Sequence, residues 1–83
     1  MINTKPAIDY ERLLHLNNRV KEGTSTRQEQ DELMKLLYDN ESITEKQYND
    51  YRRGQNVQDI LGAALIIAGI VLLGHVIHAI TAE

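Results

Sequence analysis

Eighty-three residues provide for one small domain, and a soluble core of that size leaves much of its surface in water. Small domains usually offset that deficit with disulfides, a metal or partners, and the absence of cysteine removes disulfides and any thiolate zinc site. Nine Lys and Arg against 12 Asp and Glu give a net charge of −3, so nucleic acid, which calls for a basic footprint, is not an expected partner.

The charges are segregated. Every charged residue except Glu83 lies within 1–59, and residues 60–82 carry none. The charged part, 1–56, divides at turn signals into three short helices. The first runs from about Ile8 to Lys21, with Tyr10, Leu13, Leu14, Leu16, Asn17 and Val20 at a rough 3–4 spacing, and Gly23 ends it. His15 has polar neighbours there and is expected at the surface. In the second helix, Arg27 to Asp39, Thr26 and Glu29 form a capping box and Leu33, Met34, Leu36, Leu37 and Tyr38 form the apolar face. A turn over 40–42 follows.

The third helix has the clearest local signature. Thr44 caps it, Gln47 answers at the third helical position, and Ile43 is placed to staple to Tyr48. Tyr48 and Tyr51 share a face, and Gly54 stops the helix after Arg52 and Arg53. Each of the three helices is too short to be stable alone in water, so their apolar faces must pack on one another, on a second copy or on a partner. Thr26/Thr44, Glu29/Gln47 and Leu33/Tyr51 also echo one another at a spacing of 18, as a duplicated module or two independently capped helices would.

Leu33, Leu36 and Leu37, then Ile43-Thr44-Glu45 and the aromatic Tyr48, follow the pattern of a two-helix module. Residues 33–53 resemble the short C-terminal (SHOCT) family. The family's glycine before the Ile-Thr pair is replaced here by Glu41-Ser42, and here the module precedes an apolar segment. The resemblance implies an interaction or oligomerisation element with no catalytic residues to carry over. Leu33, Leu37, Ile43, Tyr48 and Tyr51 are the expected partner-binding residues.

Residues 60–80, ILGAALIIAGIVLLGHVIHAI, are 21 in number. As a helix they reach about 31 Å, close to the hydrocarbon thickness of a bilayer. Twelve of them are Ile, Leu or Val, spread over all faces, so no polar stripe turns to water. Asn56 and Asp59 offer a reciprocal cap, and a transmembrane helix over 57–80 with a short tail, 81–83, is expected. Its position near the C-terminus speaks against a signal peptide. Arg52 and Arg53 set the topology by the positive-inside rule, which keeps residues 1–56 cytoplasmic in a single-pass, tail-anchored arrangement. The alternative is a hydrophobic helix enclosed in a soluble oligomer or a virion.

No Gly-rich phosphate loop, GxSxG or thiol nucleophile is present, and the carboxylates alternate with bases as on a solvated face. No enzymatic activity and no cofactor is expected. His75 and His78, at i and i+3 within the apolar run, are the unusual feature. They suit interfacial hydrogen bonding, a polar ring lining a pH-sensing pore, or a metal completed by another copy or by Glu83. Gly62, Ala64, Ala68 and Gly69 supply small residues for close helix packing, and hence for homo-oligomerisation in the membrane.

The expected fold is therefore all-α, a cytoplasmic three-helix segment followed by one transmembrane helix. The expected function is that of a structural or interaction component, set against a holin-like pore or a phage or virion assembly component.

Overall fold

The computed structural model describes residues 8–81, with side chains to His75. It contains four helices: α1 (Tyr10–Lys21), α2 (Arg27–Asp39), α3 (Glu45–Arg52) and α4 (Val57–Thr81). The first begins two residues later than the hydrophobic spacing suggests, because Asp9 takes the N-cap: its backbone is extended and its carboxylate accepts the Arg12 N–H at 3.0 Å. The Thr26–Glu29 and Thr44–Gln47 capping boxes both form, with reciprocal bonds of 2.9–3.1 Å. They fix α2 and α3 at the boundaries expected from sequence.

The C-terminal ends of α1, α2 and α3 close in one way. Thr24 donates to the Arg19 carbonyl at 3.0 Å, Ser42 to Leu37 at 2.8 Å and Gln55 to Asp50 at 2.9 Å. These are Schellman closures, and each places a left-handed residue just past the cap: Gly23 at φ 75°, Glu41 at φ 61° and Gly54 at φ 78°. The linkers around 23–26 and 41–44 thus repeat in geometry at the spacing of 18 seen in the sequence.

The start of α4 departs from expectation. Asn56 does not hold the extended conformation of an N-cap but sits at φ 53°, its carbonyl accepting the Ile60 N–H at 2.9 Å. Gly54 and Asn56 thus make two left-handed residues in three, and the chain turns sharply from α3 into α4.

One apolar core joins all four helices. Leu13 and Leu16 of α1, Leu33, Met34 and Leu37 of α2, Ile43, Tyr51 of α3, and Leu61, Ala64 and Ala68 of α4 are buried together. Val20 and Gly23 share a cleft with Gln58, Leu61 and Gly62, while Tyr10, at the other end of α1, stacks on His75 with ring centroids 3.7 Å apart. The first helix therefore runs antiparallel along α4 and covers one side of it.

Candidate functional site

Helix geometry divides α4 into two sides. Leu61, Ala64 and Ala68, at i, i+3 and i+7, lie on one side and are buried beneath the other helices. Ile66, Ile70 and Leu73 lie on the opposite side and are 59–67% exposed. Gly69 and, at the rim of the cleft to Val20 and Gly23, Gly62 flank this open side, and a Cβ added at either meets nothing within 4 Å. The four small residues expected to make one packing face are thus split. Ala64 and Ala68 allow close approach of the chain's own helices, and Gly62 and Gly69 are left open.

Among the described residues α4 is the one helix long and apolar enough to cross a membrane, over Val57–His75, and 17% of that apolar window is buried within the chain. It is therefore not the enclosed core helix of a monomer. The chain's cations differ in whether they close an ion pair. Arg12, Arg19, Arg27, Lys35 and Lys46 each hold a carboxylate, at 2.6–3.1 Å. Among the described residues Arg52, Arg53 and Lys21 hold none. Arg52 instead lies over the Tyr48 ring, 5.7 Å from its centroid. Arg52 and Arg53 line a cleft with Asn49 at the end of α3.

His75 lies on the covered side of α4, its ring against Tyr10, and not on the open side where other copies could meet. The side chain of His78, and Glu83, lie outside the described residues. His15 is exposed as expected, 3.8 Å from Glu29.

The expected partner-binding residues are largely consumed inside the chain. Leu33 and Leu37 are fully buried, Ile43 and Tyr51 nearly so, and a partner could reach them only by opening the core. Tyr48 is half-buried and stacks on Tyr38 with centroids 4.4 Å apart. Tyr51 forms a latch that sequence reading missed. Its hydroxyl donates to Asp31 Oδ1 at 2.5 Å, and Arg27 Nε donates to the same oxygen at 3.0 Å. The Tyr51 bond, with help from Arg27, holds the Asp31 carboxyl below its ordinary range. Burial, then the bond to Asp31, pushes the Tyr51 phenol up to about 12. These groups, with Lys35, Tyr48 and Arg52, line a shallow cleft of about 390 Å³. The latch is non-local, 20 residues apart on two helices, so nothing in the local pattern marks Asp31 as its acceptor.

Comparison of the chain with protein-family models, curated proteins and solved structures finds no match.

Proposed function

We propose that this protein is a small, non-enzymatic membrane component. In this reading α4 enters the bilayer, α1–α3 stay on the cytoplasmic side, and copies associate through the open side of α4. The observation that carries it is the uncharged apolar helix whose Gly62–Ile66–Gly69–Ile70–Leu73 side the chain leaves uncovered. Contiguous exposed apolar surface of this kind is a mark of membrane or protein contact. Two glycines seven residues apart, with Ile66 and Leu73 between and beyond, permit the close backbone approach that membrane helices use. Arg52 and Arg53, just before α4, support the orientation, since cations flanking a membrane helix favour the cytoplasmic side. The resemblance of residues 33–53 to the SHOCT module is in keeping with an interaction role, exercised through exposed surface because the module's apolar face is occupied within the chain.

A pore lined by His75 receives no support from the placement of that ring against Tyr10. The test is alkaline carbonate extraction of membranes from expressing cells, followed by the mass of the detergent-solubilised particle. The chain is expected in the pellet and, once solubilised, as a small oligomer that Gly69→Ile shifts toward monomer. Release into the carbonate supernatant would replace this reading with that of a helix enclosed in a protein assembly.

A further inference from the structure

The covered side of α4 poses a physical problem for a membrane helix. Its partner α1 reaches along it as far as His75, well inside the membrane-competent stretch. Were that arrangement kept in a bilayer, Glu11, Arg12, His15 and Arg19 would be carried to hydrocarbon depth, where ionisable groups are costly. The contact and the insertion of α4 exclude each other.

The bonds between elements show which side gives way. Helices α1 and α2 are tied by the bidentate Arg12–Glu32 pair, at 2.6 and 2.7 Å, and by Arg19–Glu29 at 3.1 Å. Helices α2 and α3 are tied by the Tyr51–Asp31 bond and the Tyr38–Tyr48 stack. Among the described residues no side-chain hydrogen bond or ion pair joins α4 to the other three helices. Leu61, Ala64 and Ala68 meet apolar side chains, and His75 meets a ring. Lipid tails can replace such contacts without leaving a polar group unpaired, which is not true of the ties among α1, α2 and α3. A pivot lies at the right place, since the left-handed Gly54 and Asn56 flank the step from α3 to α4.

We infer that the four-helix packing is a closed, water-competent state in which α1 masks one side of α4, and that membrane entry swings α4 away from an intact α1–α3 unit about residues 54–56. The masking contact is then a built-in restraint on insertion. This inference rests on the membrane reading above.

The absence of native cysteine allows a direct test on the full chain. A Tyr10→Cys/His75→Cys variant is treated in aqueous buffer with a short, cleavable thiol cross-linker and then offered to phospholipid vesicles in a flotation assay. Efficient cross-linking in buffer, loss of the vesicle-inserted fraction while the link is intact, and recovery on cleavage are the expected results. Insertion of the linked chain to the level of the unlinked one would overturn the inference, as would failure to cross-link in buffer or equal cross-linking of the inserted protein. If the wild-type chain itself stays out of the vesicles, the membrane reading falls and the inference falls with it. A doubly substituted chain that fails to insert unlinked, where wild type inserts, is replaced by Val20→Cys/Leu65→Cys, at residues of α1 and α4 that line one cleft, under the same criteria.

Discussion

The two sides of α4 have nearly the same chemistry and opposite fates. Leu61, Ala64 and Ala68 are buried against the chain's own helices, whereas Gly62, Ile66, Gly69, Ile70 and Leu73 face outward. Hydrophobicity alone does not separate them. What does is the shape of the covering surface: α1 carries one narrow apolar stripe, Leu13, Leu16 and Val20, wide enough for one side of a helix and flanked by Arg12 and Arg19, which turn to α2. An evenly apolar helix beside a narrow stripe is half covered, and the rest is left for lipid or for another copy.

That contrast is most sharply tested by truncating equivalent leucines. Leu16→Ala removes a fully buried side chain beneath α1 and is expected to cost about 2–5 kcal/mol. Leu73→Ala acts on the open side and is expected to change the stability of the single chain by about 0.5 kcal/mol or less, while weakening association in the membrane. Urea titrations followed by circular dichroism, beside particle masses in detergent, measure both. Equal losses of chain stability would mean that the open side is covered after all.

A second test adds volume to each side. Ala68→Leu forces three extra carbons under the covering helices and is expected to destabilise the fold by about 1–3 kcal/mol. Gly69→Ala, one residue on, meets open space and is expected to stabilise the isolated chain by up to about 1 kcal/mol through helix propensity. A loss in both variants would place Gly69 inside a packed contact.

Local chemistry was legible in the sequence, and long-range chemistry was not. Thr26 with Glu29 and Thr44 with Gln47 announce their helices because a capping box is complete within four residues, and both form. The apolar length of residues 60–80 likewise announces a helix able to span a bilayer. Nothing in it indicates which side α1 covers, because residues of similar hydrophobicity surround the axis, and so Ala64 and Gly62 read as one face. Tyr10 on His75 and Tyr51 on Asp31 depend on how helices fold back on one another, and composition and spacing carry no mark of either pairing.

The polar ties that hold α1–α3 together, and that none of the described residues of α4 makes to them, can be probed through Tyr51. Tyr51→Phe keeps the buried ring and removes the hydroxyl bond to Asp31, with an expected loss of about 1–2 kcal/mol. The phenol also sets a pH window. Its folded pKa is raised to about 12, above its ordinary value near 10, so its contribution is complete below about pH 10. As the pH climbs from there toward 12 the unfolded chain ionises first and stability is lost. Denaturation midpoints between about pH 9 and 11.5 should fall in the wild-type chain and fall less in Tyr51→Phe. Parallel slopes would show that the fold does not hold the phenol in its neutral form.

The smallest expected effect concerns the linkers, where the two copies of one turn differ in a single choice of residue. Past α1 the left-handed position is Gly23, which adopts φ 75° at no steric cost, whereas past α2 the same position is Glu41 at φ 61°. A left-handed L-residue with a Cβ is strained by about 1–2 kcal/mol, of which a glycine is relieved, although glycine also leaves the unfolded chain more entropy to lose. Glu41→Gly is therefore expected to stabilise the fold by about 0.5–1 kcal/mol. Gly23→Ala, the reverse change in the matching turn, is expected to cost about 1 kcal/mol even though no atom lies within 4 Å of the added Cβ, because the penalty comes from the backbone and not from crowding. The paired urea midpoints decide the matter: opposite shifts of similar size support a shared Schellman geometry, and a destabilised Glu41→Gly would mean that contacts of the Glu41 side chain outweigh its backbone strain.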